Sequence, residues 1–309
     1  MIKKMKEVFG FAAPDSLTIE VREDTIGHPS VPDAIPYIFR KNLMSIFLGW
    51  IMGAAGADPL YIFGPTGSGK TSLAEQVAAR IRQPLYVVPC HEGMEPPDLF
   101  GSWLVENGNM RWQDGPLLAG LRDPAGAWVL LNEGDSLRSA CAIAIHRILE
   151  GRPVTIPQTG EVFDPRQYGA RILLDGNTAG FGDETGSYGG TNHQNKAFMG
   201  RFMMMEAGYP DPEDELKVLR GAVPSIPEEI GKWMIKLAND VRGAFKNGDT
   251  EVIFCTRALI RWGQLYCFYL KKQDVKPLYF SLDHAIGLKY PTETRTGLHE
   301  LVQRVFPEV

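Results

Sequence analysis

Little in this sequence ties it to a membrane, a redox centre or a structural metal. Its four cysteines, Cys90, Cys141, Cys255 and Cys267, are scattered over 309 residues with no C-x-x-C spacing. That excludes a zinc ribbon or a thioredoxin-like pair, and leaves buried thiols of a cytosolic protein as the expectation. The six histidines include no i, i+4 pair. "HEGME" (91–95) carries Glu95 where a zinc protease needs its second histidine. "GFGDETG" (180–186) lacks the ligand spacing of a calcium loop. No nucleophile sits beside a recognisable base. The longest apolar stretch, "LMSIFLGWIMGAAGA" (43–57), is shorter than the roughly 20 residues that span a bilayer and reads as a buried helix. The first fifteen residues have lysines but no continuous apolar core or small-residue cleavage site, so no signal peptide is expected and the chain is placed in the cytoplasm. The formal net charge of -5 gives no overall footprint for nucleic acid or anionic lipid, although local basic patches stay open. Repeats and low-complexity tracts are absent.

What is present is a phosphate loop. "LYIFGPTGSGKT" (60–71) is a short apolar run followed by G-x-x-x-x-G-K-T, and the helical pattern "TSLAEQVAARIR" comes next. The strand–loop–helix context makes the motif a site. Gly64, Pro65, Thr66, Gly67, Ser68, Gly69, Lys70, Thr71 and Ser72 form the expected nucleotide cradle. Its glycines let backbone N–H groups face inward, and the helix adds its positive end. Lys70 is suited to the β- and γ-phosphates, and the Thr71 hydroxyl to Mg²⁺.

Four further apolar segments follow, at 83–90, 126–133, 169–177 and 200–208. Helical patterns separate most of them, among them 139–151, which ends at a glycine. The alternation predicts an α/β fold with a parallel five-stranded core sheet covered by helices on both faces. Ligands bind such sheets at the strand C-terminal ends, where Thr71, Glu133 and Asn177 would converge. Two hairpins interrupt the alternation, one at 104–112 around Asn107-Gly108 and one at 153–165 around Thr159-Gly160. Beyond Pro210 the pattern is helical. Ile230, Met234, Leu237, Val241 and Phe245 form one stripe, and Leu259, Trp262, Tyr266 and Leu270 another. The expected organisation is a leading segment (1–58), a nucleotide-binding core (59–209) and a small α-helical lid and tail (210–309), linked near "YPDPEDE" (209–215). Nucleotide held between core and lid would couple its hydrolysis to their relative angle.

The phosphate loop, "LLNEGD", a hairpin, "ILLDGNTAG" and then "GRF" resemble the AAA+ ATPases of the MoxR type. Within that family the chain is similar to the CobS group, the ATPase subunits of aerobic cobaltochelatase. "EVFGF", "HPSVPDAIPYIFRKN", the glycine-rich 176–202 stretch and the tail 280–306 carry this second likeness. The resemblance implies an ATP- and Mg²⁺-dependent homo-oligomer, a hexamer, that remodels a partner protein. It also implies a von Willebrand A partner resembling CobT, with metal insertion as the case known for CobS. By resemblance Glu133 is the catalytic glutamate and Asn177 the sensor that helps place the attacking water. Arg201 is the arginine finger lent to a neighbouring subunit. Arg257 is a lid sensor, with Arg261 one turn on as a competitor. Two rivals stay open: a nucleotide-gated assembly module that does not hydrolyse, and a GTP-using nucleic-acid motor like McrB.

One position departs from the family. Asn132 stands before Glu133 where the family has aspartate, in the place that supports Mg²⁺ beside Thr71. Asparagine keeps the shape and an acceptor but loses the charge. Losing one charge-assisted hydrogen bond costs about 1–3 kcal/mol, which predicts turnover slowed roughly ten- to hundredfold but not abolished. Asp135 could compensate if the strand ran on, although Gly134 argues that it stops.

Overall fold

The computed structural model describes residues 1–182, 191–272 and 274–306. Residues 183–190 of the glycine-rich stretch at 176–202, which include "DETG" of the calcium-like sequence, lie outside the described residues. The chain forms two compact units. One comprises Met1–Ile35, Phe39–Pro65 and Gly69–Ala207, and the other Pro36–Ile38, Thr66–Ser68 and Gly208–Val309.

In the first unit, five strands form a parallel sheet: β1 (Leu60–Phe63), β2 (Leu85–Pro89), β3 (Trp128–Asn132), β4 (Arg171–Gly176) and β5 (Met203–Glu206), in the order β5-β1-β4-β3-β2. Their near-continuous apolar composition fits a sheet buried on both faces. One face carries Tyr61, Val88, Val129, Leu131, Ile172 and Leu174 into a core shared with α3 (Ser139–Leu149). That helix ends as expected: Gly151 N–H donates to Ile148 C=O and Arg152 N–H to Arg147 C=O. The alternate residues Leu130 and Leu173 are buried too. The phosphate-loop helix α2 (Lys70–Ile81) buries Leu73, Ala74, Val77 and Ala78.

The apolar stretch at 43–57 is helical only as α1 (Lys41–Ile51), with Leu43, Met44, Phe47, Leu48 and Trp50 buried and Met52 exposed. Ahead of it the leading segment is strapped to α2. Gln76, itself buried, accepts from Ile35 N–H and donates to Asp33 C=O. A small antiparallel pair, Ile2–Lys4 with Thr18–Glu20, has no signal in the sequence reading. Both hairpins form: Gly101–Glu106 with Asn109–Asp114, turning at Asn107 (φ 52°) and Gly108 (φ 78°), and Val154–Thr155 with Val162–Phe163. The Trp103 indole N–H donates to Gln158 C=O, which ties one hairpin to the other.

The second unit is helical: α4 (Pro212–Ala222), α5 (Glu228–Asn247), α6 (Thr256–Tyr269), α7 (Pro277–Ala285) and α8 (Thr292–Val305). Met234, Leu237, Val241, Leu259 and Trp262 are buried as their spacing implies. Leu270 is not; α6 stops one residue earlier and leaves it 51% exposed. The expected linker at 209–215 is shorter than its composition suggests, because Pro212 opens α4 and its acidic residues favour a first helical turn. One of them, Glu215, is fully buried. It accepts from both terminal nitrogens of Arg242, each at 2.7 Å, and from the Thr256 hydroxyl at 2.7 Å. Cys90 and Cys141 are buried, whereas Cys255 and Cys267 are only half-buried, and all four are free thiols.

Candidate functional site

The site is built where β1, β3 and β4 end. Gly64 must lack a side chain, because a Cβ there would lie 2.4 Å from the Ala207 carbonyl oxygen, and its φ of +150° disfavours other residues. Gly67 and Gly69 also take positive φ, and α2 begins at Lys70. Lys70 is buried. Its Nζ donates to Gly64 C=O (2.8 Å), Pro65 C=O (3.0 Å) and the Asn177 side-chain oxygen (3.0 Å). The lysine expected to bind phosphate and the expected sensor are therefore in direct contact.

The second cluster centres on a residue that the sequence reading passed over. Asp175 is buried in the central strand β4, where Leu174 pairs with Leu131 of β3, so the register sets Asp175 level with Asn132. Neighbours at one level of a parallel sheet share a face. The Asn132 amide nitrogen donates to both Asp175 oxygens, at 2.9 and 3.0 Å, and to Thr71 Oγ1 at 3.1 Å. The Thr71 hydroxyl donates to Asp175 Oδ2 at 2.6 Å, and Glu133 N–H to Asp175 Oδ1 at 2.7 Å. Asn132 thus faces its neighbours through the amide nitrogen, as a donor, and not through the acceptor oxygen expected of it. A carboxylate does sit beside Thr71, one strand away from the family position. Its field reaches outward: burial first, and Asp175 second, raise the carboxyl of Glu75 and push the Cys90 thiol up to about 12.

Strand β3 ends at Asn132, as Gly134 suggested. Glu133 follows with φ 55° and ψ 38°, a left-handed backbone rare for a side chain of its size, and is exposed. Asp135 lies in the next turn, and that removes it as a substitute for Asn132. Its Oδ2 accepts from Asn177 N–H (2.7 Å), Thr178 N–H (3.0 Å) and the Thr178 hydroxyl (3.3 Å), which fixes the loop carrying Asn177. Burial raises the Asp135 carboxyl above its usual range, against these bonds. Gly176 makes the close approach possible, since a Cβ there would lie 2.4 Å from the Tyr61 hydroxyl and 2.7 Å from Asp135 Cγ.

The two arginines belong to other elements. Arg201 follows the short helix Lys196–Met199 and pairs with Glu150 at the end of α3, through Nε at 3.0 Å and Nη2 at 2.5 Å. This contact holds the Glu150 carboxyl below its usual range. Arg257 and Arg261 are both exposed on α6 in the second unit, and nothing in that helix prefers one to the other.

Residues 59–202 match the AAA domain of the dynein-related subfamily, and residues 215–305 match the CbbQ/NirQ/NorQ C-terminal domain. The chain belongs to the MoxR-type AAA+ ATPase family. Among curated relatives it is similar to protein NorQ of Paracoccus denitrificans, 28% identical over 89% of this chain and 95% of that protein. It is likewise similar to the aerobic cobaltochelatase subunit CobS of Sinorhizobium, 28% identical over 84% of this chain and 79% of CobS. Protein CbbQ of Hydrogenophilus thermoluteolus is 29% identical over 68% of this chain and 75% of its own length. The likeness to CobS is thus shared equally with NorQ, and the second-domain match points to the CbbQ/NirQ/NorQ branch, which the sequence reading did not name.

Among the described residues no helix is long and apolar enough to cross a membrane. Among the described residues, too, no cluster of three or more His, Cys, Asp or Glu side chains could hold a metal by itself. Thr71 with an adjoining carboxylate suits an ion that brings most of its ligands as water and phosphate, the usual habit of Mg²⁺.

Proposed function

We propose that this chain hydrolyses ATP within a ring of identical subunits and uses the cycle to remodel or activate a partner protein. The observation that carries the reading is the convergence of Lys70, Thr71, Asn177 and Glu133 at the C-terminal ends of the inner strands, with Lys70 and Asn177 3.0 Å apart. Charge developing on the phosphates would be neutralised by bound Mg²⁺. Thr71 is the residue to ligate it, and the loop from Gly64 to Ser72 the one to hold the phosphates. The carbonyls and amide oxygen now gripping Lys70 are neutral acceptors, so a nucleotide phosphate outcompetes them as a partner for the ammonium. Asn177 is then freed to orient water, and Glu133 to polarise it. Arg201, supplied across a subunit boundary, would complete the site, and Arg257 would sense nucleotide from the second unit.

The similarity to NorQ, NirQ, CbbQ and CobS supports a client that is itself a protein. NirQ is named a denitrification regulatory protein, and CobS a subunit of aerobic cobaltochelatase. A von Willebrand A protein resembling CobT, with metal insertion as the outcome, is one form of that client. The rival of a non-hydrolysing assembly module leaned on the missing charge at position 132, and Asp175 now stands beside it. The reading is tested by phosphate release from the assembled protein and from Glu133→Gln. The variant is expected to bind nucleotide normally and to lose about 10²–10⁴ in rate. Equal, negligible rates for both would make the protein a nucleotide-gated scaffold.

A further inference from the structure

We propose that Asp175 is the carboxylate that supports nucleotide-bound Mg²⁺ in this protein, and that Asn132 is its positioning residue. The two have exchanged chemistry across neighbouring strands. The inference rests on the functional reading above and deepens it at the metal.

Three observations carry it. Asp175 is 1% exposed, yet every contact it makes points to one spot, namely Thr71 Oγ1, the Asn132 amide and Glu133 N–H. A hydroxyl that ligates a cation must direct its proton elsewhere. Thr71 directs it to Asp175 at 2.6 Å, and with the Asn132 amide donating to the same oxygen at 3.1 Å one lone pair stays open for a further partner. Finally, Asn132 is the residue type that such a neighbour requires. An aspartate at 132 would set a second, half-buried carboxylate against the buried Asp175, and two like charges in contact there cannot both ionise without a penalty. An asparagine donates to both oxygens and holds the single charge in place. The expected deficit at the metal is thereby removed, and with it the reason to expect slow turnover.

The test measures binding, not turnover. A fluorescent ADP analogue is titrated onto the full chain in Mg²⁺ and in EDTA, with Mn²⁺ paramagnetic resonance on the ADP complex as a second readout. The wild type is expected to bind more tightly with Mg²⁺. Asp175→Asn should lose about ten- to hundredfold of that metal-dependent gain, while affinity in EDTA is kept or improved. The double variant Asn132→Asp/Asp175→Asn keeps the composition and returns the charge to β3, and it should recover most of the gain even if Asp175→Asn folds poorly. Undiminished Mg²⁺ dependence in folded Asp175→Asn, or a double variant that folds and binds ADP but shows no recovery, overturns the exchange and leaves the functional reading standing. Wild-type protein that binds no nucleotide in either buffer overturns the functional reading itself.

Discussion

Removing Arg201 tests whether one subunit completes the site of the next. Within the chain Arg201 has a partner already, Glu150, with both side chains partly open to water at 22% and 31% exposure. Ion pairs open to water are weak, because solvent competes for both charges. A guanidinium placed on a transferring phosphoryl group instead contributes about 10³–10⁵ in rate. The second quantity is far larger, so trading Glu150 for phosphate at a subunit boundary meets no serious obstacle. Arg201→Ala should therefore lose about three to five decades of turnover with nucleotide affinity nearly intact, and Glu150→Gln should change turnover little. The decisive assay mixes two inactive proteins. Arg201→Ala keeps Glu133, and Glu133→Gln keeps Arg201. In a mixed ring, a nucleotide on the first variant meets an intact guanidinium from the second, so phosphate release should reappear on mixing and peak near equal ratios. If both variants assemble and bind nucleotide, yet every mixture stays inactive, Arg201 does not act across subunits.

Two further outcomes concern the framework. Glu215→Ala leaves Arg242 only 10% exposed and without its carboxylate, which should destabilise the second unit by about 3–5 kcal/mol. Hydrogen exchange of α5 and α6 amides reads this directly, and unchanged protection would show that the pair is dispensable. Glu133→Gly relieves a left-handed backbone, so its melting temperature should rise by the equivalent of about 0.5–1 kcal/mol while hydrolysis disappears. Glu133→Gln should show the second effect without the first.

The fold was legible because its signals are local. The phosphate loop announces itself within twelve residues, the strands are short apolar runs, and the helices of the second unit carry their stripes in sequence. The misses are of another kind. Asp175 ends an apolar segment, and an acidic residue at a strand end has no meaning in sequence until its neighbour in the sheet is known. Its partner Asn132 is 43 positions away in sequence. Glu215 looks like part of an acidic linker for the same reason, since Arg242 and Thr256 lie 27 and 41 positions on. Composition predicts a solvated carboxylate, and only tertiary pairing reverses that. Asp135 shows the opposite case. Gly134 correctly signalled that the strand had stopped, and a stopped strand turns the acid toward the loop of Asn177 and away from Thr71.

The exchange between positions 132 and 175 also explains why asparagine is tolerated at one of the most charge-dependent places in such a site. Support for a metal at Thr71 needs a carboxylate on this face of the sheet, at this level, within reach of the first turn of α2. Only the ends of β3 and β4 satisfy all three conditions: β1 continues directly into the phosphate loop, while β2 and β5 lie at the sheet's edges. A charge moved along either strand by one residue would land on the opposite face, among Leu131 and Leu174. A charge moved sideways by one strand keeps face, level and distance. The position of the negative charge is therefore fixed by the sheet to two alternatives, and an asparagine in one of them is informative only once the other has been read.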